Sequence, residues 1–112
     1  MSLKLADYLF TGPFAIATTE VRANQPPVVY AIVAKGGPAW APHFRVVDIG
    51  ASSDQGLRFA DHPCRATWIV EAGETIGVYL LNLPRSKFTA TDRERIASQL
   101  RNQYDPPRGT VA

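Results

Sequence analysis

Residues Val28 to His62 read VVYAIVAKGGPAWAPHFRVVDIGASSDQGLRFADH, and the fold turns on how this stretch is read. Val28 to Ala34 is almost wholly apolar and rich in β-branched residues, the pattern of a central strand buried on both faces. Lys35-Gly36-Gly37-Pro38 supplies a turn, and the residues to Pro42 a loop long enough for a loose hairpin. Phe44 to Ile49 (FRVVDI) is the next strand, antiparallel to the first because the connection is short. Trp40, in the loop, reads as a lid over the core, the commoner use of so large an apolar ring. Gly50 allows a tight turn, and Ser52 followed by Gln55 has capping-box spacing. A helix is therefore expected over about 53–61, stopped by Pro63, with Arg58 on the same side as Asp54 and His62. Tyr30 on the first strand and Arg58 on that helix are then expected to share one concave face.

Upstream, Leu3 to Phe10 (LKLADYLF) suits one short helix, although alternation describes it nearly as well. Thr11-Gly12-Pro13 breaks that element, and Phe14 to Val21 reads as a short extended segment. Downstream, Trp68 and Ile69 are expected to plug the core, and Ile76 to Leu83 (IGVYLLNL) is a third strand. The clearest helix runs from Thr91 to Tyr104. Thr91 and Glu94 have capping-box spacing, and Ile96, Ala97, Leu100 and Tyr104 make a buried stripe. Asp105-Pro106-Pro107 ends it.

A chain of 112 residues, 46% hydrophobic and 20% charged, fits one packed domain, 1–112, with no linker separating a second. Its formal charge of +2 is compatible with a polyanionic partner but far from the arginine-rich excess that points to one unaided. The single cysteine, Cys64, cannot form an internal disulfide and reads as a small buried residue in a reducing compartment. There is no apolar run of membrane-spanning length and no signal-peptide pattern, so a cytoplasmic location without membrane contact is expected. Two histidines and one cysteine make a zinc site an unattractive reading.

The order of these parts carries a resemblance: Val-Val-Tyr ending in Tyr30, a hairpin to Asp48-Ile49-Gly50, a polar turn toward Arg58 and His62, a tryptophan, a third strand, and an Arg-rich helix closed by Tyr-Asp-Pro-Pro. From about Pro27 to Gly109 this resembles the GIY-YIG nuclease superfamily, with residues 1–26 as an N-terminal extension packing on it. The resemblance implies an α+β fold, a small three-stranded antiparallel sheet flanked by helices, and DNA cleavage with one divalent metal. It places the family's first tyrosine on Tyr30, its second on Asp48, its phosphate-contacting arginine on Arg58 and a frequent histidine on His62. The metal-holding glutamate falls on Ala97. A hard cation without an anionic anchor would be held mainly by water and substrate, and would add little Lewis-acid stabilisation.

Three functions follow as expectations. The first is a nuclease-like domain impaired in catalysis that binds nucleic acid or a protein, with no cofactor. The second is an active endonuclease using Tyr30, Arg58 and a replacement carboxylate, Asp48 or Glu94, with magnesium or manganese. The third is a protein-interaction domain, dimeric or with another partner, exposing Trp40 or Tyr8. A nucleic-acid contact would use Arg58, Arg45, Arg93 and Arg101, or the same arginines would form a solvated face. Against the site readings stand ordinary ones: Tyr30 as a core residue, Arg58 in a surface ion pair with Asp54 or Asp61, and His62 as a cap.

Overall fold

The apolar run from Val28 forms the strand on which the sheet is built. The structure is a computed structural model and describes residues 2–22, 27–36, 40, 43–52, 56–72, 75–83 and 86–104. In chain order the elements are β1 (Ser2–Leu5), β2 (Tyr8–Phe14), β3 (Glu20–Val21), β4 (Val28–Gly36), β5 (His43–Ala51), β6 (Leu57–Arg58), a 3₁₀ turn (Phe59–Asp61), α1 (Arg65–Ala72), β7 (Thr75–Asn82) and α2 (Ala90–Tyr104). Five strands form one antiparallel sheet in the order β1-β2-β7-β4-β5, and β3 pairs with β6 in a separate two-stranded ribbon.

Every residue of β4 from Val28 to Ala34 is buried. Successive side chains of a strand point to opposite faces, so β4 divides the interior in two. Val29, Ala31 and Val33 pack with Leu5, Phe10 and Ile49 against Ile96, Ala97 and Leu100 of α2. Val28, Tyr30, Ile32 and Ala34 pack with Val47, Phe59 and Trp68 on the other face. Full burial of a Leu, Ile or Phe side chain is worth roughly 1.5–3 kcal/mol, so these two layers dominate the stability.

The expected α+β fold with a three-stranded sheet flanked by helices is not what the chain adopts. The sheet has five strands and curls into a half-barrel. The two extra strands come from the N-terminal segment. The expected helix over Leu3 to Phe10 is instead the β1–β2 hairpin, turned at Ala6 (φ 54°) and Asp7, with Leu5 facing Tyr8. Alternation puts Leu5, Phe10 and Gly12 inside, and β2 then pairs with β7 through Thr11 and Phe14. The helix expected over about 53–61 is also absent where the chain is described: residues 57–58 are strand and 59–61 a 3₁₀ turn, while residues 53–55 lie outside the described residues. Ser52 caps no helix there. It closes the open end of the β4–β5 pair: its Oγ accepts from the Val28 amide and its own amide donates to the Val28 carbonyl, both at 2.9 Å.

The three strands and the last helix lie where the sequence puts them, to within two residues at most boundaries. The cap of α2 is formed two residues earlier than expected: Thr89 Oγ1 accepts from the Asp92 amide and Asp92 Oδ2 from the Thr89 amide. Thr-x-x-Asp at 89–92 offers the same reciprocal pairing as Thr-x-x-Glu at 91–94 with the shorter acid. Trp40 covers nothing; it is 86% exposed, and Ile69 is exposed as well. No helix among the described residues is long and apolar enough to cross a membrane.

The β2–β7 seam depends on two glycines. Gly12 has φ +152°, and a Cβ there would lie 2.6 Å from the Val78 carbonyl oxygen; a Cβ on Gly77 would lie 2.6 Å from the Pro13 Cβ. Gly12→Ala is expected to cost about 2 kcal/mol of unfolding free energy, because backbone must shift to admit the methyl group. Urea denaturation measures it, and an unchanged midpoint would show that the seam is looser than these distances indicate.

Candidate functional site

Tyr30 is brought to its place by the strand alternation that buries the rest of β4, and its phenol meets His62 inside the protein. The Tyr30 hydroxyl and His62 Nε2 are 3.0 Å apart. His62 Nδ1 accepts from the Cys64 amide at 3.0 Å, so the neutral ring carries its proton on Nε2 and donates to the Tyr30 oxygen. The backbone explains the pose. Phe59–Asp61 makes one 3₁₀ turn, the His62 amide donates to the Phe59 carbonyl, and Pro63 holds His62 extended at φ −64°, ψ 137°.

A second polar pair is stacked against the first. Asp48 is fully buried on β5; its Oδ2 accepts from Trp68 Nε1 at 2.8 Å and its Oδ1 from the Ile49 amide at 2.8 Å. The aromatic rings tie the pairs together. Tyr30 sits edge-on to Phe59 at 5.1 Å and to Trp68 at 6.2 Å, and the His62 and Trp68 rings lie 4.3 Å apart. Burial, then the Asp48 carboxylate, push the Tyr30 phenol well above its ordinary range. Burial lowers the His62 pKa, with Asp48 opposing. The phenol and imidazole are therefore both held neutral, and Tyr30 has no exposed surface through which to reach a substrate.

Arg58 is elsewhere. It lies on β6, its side chain 70% exposed, with Nε 3.8 Å from Glu20 and 3.6 Å from Asp61, the surface ion-pair arrangement. Asp54, the other partner considered for it, lies outside the described residues. Ala97 is buried in the layer on the opposite side of the sheet from Tyr30. Of the expected constellation, Tyr30, His62 and Asp48 are brought together, and Arg58 and position 97 do not join them. Glu94, the other replacement carboxylate considered, is on the exposed side of α2 and 3.7 Å from Arg101. Among the described residues no group of three or more His, Cys, Asp or Glu could hold a metal ion.

The expected arginine stripe is dispersed for a similar reason. Arg93 is 3% exposed, and its guanidinium donates to the Phe88 carbonyl, closing the approach to α2. Arg101 pairs with Glu94 and Arg95 with Asp92. Arg45 is exposed on β5. One concave surface lies at the end of the sheet near the β4–β5 connection, where Phe14 and Phe44 are about half exposed over the buried Val33 and Tyr79. Sequence reasoning passed over this pair; the only signal was an aromatic, Phe44, in the outermost turn of a strand whose inner residues are apolar.

The buried polar cluster carries two expectations. A folded-state pKa for His62 below the ordinary 6.5 means that the unfolded chain binds the proton more readily. Stability is then full above about pH 6.5 and lost as the pH falls below it, since protonated Nδ1 can no longer accept from Cys64. Thermal unfolding from about pH 7.5 to about pH 5 should show a decline that His62→Gln flattens; an identical decline in the variant would show that other groups are responsible. Trp68→Phe leaves Asp48 Oδ2 without its indole donor in the interior and is expected to cost about 2 kcal/mol by urea denaturation. A change within experimental error would mean the carboxylate finds another donor.

No protein-family model, curated protein or solved structure matches this chain.

Proposed function

We propose that this protein is a non-catalytic binding module that engages a protein partner through the end of its five-stranded sheet. The observation that carries the reading is the contrast between the two ends of β4. At one, Tyr30, His62 and Asp48 are sealed in the core and bonded to one another's neighbours; at the other, Phe14 and Phe44 stand open to solvent over concave apolar surface. A catalytic phenol needs access and a carboxylate ligand needs free lone pairs directed at an ion, and this cluster offers neither to solvent.

The likeness to the GIY-YIG nucleases is, in this reading, one of element order from Val28 onward, with the chemistry of cleavage lost. A protein partner is favoured over nucleic acid because, among the described residues, Arg58, Arg95 and Arg101 each stand beside a carboxylate and Arg93 is buried, so the arginine stripe expected to meet a phosphate backbone is not assembled. Exposed aromatic rings over a recessed floor are the common anchors of protein interfaces.

Incubation with plasmid and with single-stranded DNA, in magnesium or manganese and in chelator, is expected to leave both substrates uncut. Metal-dependent cutting abolished by Arg58→Ala would overturn the proposal in favour of an active nuclease. Salt-sensitive retention of DNA lost on Arg45→Glu would overturn the choice of partner.

A further inference from the structure

The cleft between Phe14 and Phe44 encloses about 220 Å³ over Val33, and two polar groups line it, the Tyr79 phenol and the Lys35 ammonium. All belong to one face of the sheet. Val33 and Lys35 alternate onto the same side of β4, Phe44 is the register partner of Lys35, and Tyr79 is the register partner of Ala31. Along the strands the order is therefore Tyr79, Val33, Lys35, in steps of roughly 7 Å. Neither polar group is engaged. Lys35 is exposed and has no ion pair among the described residues. Tyr79 is 4% exposed, yet its hydroxyl has no hydrogen-bond partner among the described residues and is not sealed from solvent. A phenol so deeply buried ordinarily has a partner. No carboxylate lines the cleft among the described residues.

Resting on the reading of this chain as a protein-binding module, we propose that the cleft receives the C-terminal residue of a partner protein, its apolar side chain over Val33, its free carboxylate on Lys35 and the preceding backbone carbonyl on the Tyr79 hydroxyl. The last residue of a chain presents those three groups in that order: a carbonyl, a side chain and an anionic end. Charge selects it, because the cleft offers a cation and a neutral donor and no acceptor of its own among the lining side chains. Burial raises the Tyr79 pKa, so the phenol keeps its proton and donates. The volume suits one aliphatic or aromatic side chain, and the half-exposed walls at Phe14 and Phe44 leave room for the rest of the partner's chain to run out across them. A free organic acid of that size would have too few atoms to bind tightly without the chain behind it.

The whole chain is to be panned against a random-peptide library displayed with free carboxyl ends, and the enriched peptides titrated by fluorescence anisotropy both as acids and as amides. Enriched sequences are expected to end in Leu, Ile, Val or Phe, and amidation to weaken them about tenfold or more. In Lys35→Gln the acid and the amide should bind alike. Tyr79→Phe should weaken both forms severalfold while melting as the parent does, since the hydroxyl it removes makes no bond within the chain. Equal binding of acid and amide to the parent, undiminished binding to Tyr79→Phe, or the absence of any enriched peptide would overturn the proposal while leaving the binding module in place. So would hexanoate competing as strongly as the peptides, which would mark a pocket for free acids, or a dimer by sedimentation that Lys35→Gln dissolves. Metal-dependent DNA cutting, by contrast, strikes at the parent reading and is scored in a separate assay.

Discussion

A strand buried on both faces must be covered twice, and the rest of this fold answers that requirement. β4 has no solvent-facing side from Val28 to Ala34. One cover is α2, laid across the layer of Val29, Ala31 and Val33; the other is the 3₁₀ turn with α1, which brings Phe59 and Trp68 over Tyr30 and Ile32. Two polar residues are caught between the sheet and the second cover. A buried phenol and a buried carboxylate are costly unless bonded, and the chain answers with His62 for one and the Trp68 indole for the other. These bonds are the means by which a strand tyrosine and a strand aspartate are tolerated in an apolar interior.

This explains how much of the architecture could be read in advance. The short β-branched stretches at Val28, Phe44 and Ile76 declare their strands by composition and length, and the stripe of Ile96, Ala97, Leu100 and Tyr104 declares its helix. The N-terminal hairpin was hidden because the two-residue turn at Ala6 and Asp7 shifts the parity of alternation, so Leu3 and Leu5 fall out of step with Tyr8 and Phe10. The 57–58 strand was hidden because two residues carry no period at all. Of the site, the nearness of Tyr30, His62 and Asp48 was legible from the order of elements. The burial of Tyr30 followed from a strand covered on both faces; that of Asp48 and His62 did not, since it depends on Trp68 arriving from a separate helix. Arg58 was misplaced by the expectation of a helix that capping-box spacing alone cannot guarantee; the serine involved is used to tie two strands.

The ends of the sheet differ because the covers are shorter than the strands. β4 and β5 run nine residues each, and the buried part stops at Ala34 and begins again at Val47. Beyond that limit the hairpin carries Phe44, Lys35 and Arg45 into solvent, with Phe14 approaching from β2. Exposed aromatic residues grouped over a hollow are not a routine surface feature. The geometry thus divides the molecule into an interior whose polar groups are bonded and a rim of exposed aromatic and cationic side chains.

One bond spans nearly the whole chain. The Tyr104 hydroxyl, on the last residue of α2, accepts from the Ala6 amide in the first hairpin turn at 2.6 Å, across 98 positions of sequence. A nascent chain leaves the ribosome from its N-terminus, so the first turn waits for its clasp until the final helix has been synthesised and has cleared the exit tunnel. Until then β1 and β2 have only β7 to settle on, and before β7 emerges they have no partner strand but each other. The topology ties the first hairpin turn to the end of α2, so this contact forms only after α2 has been synthesised.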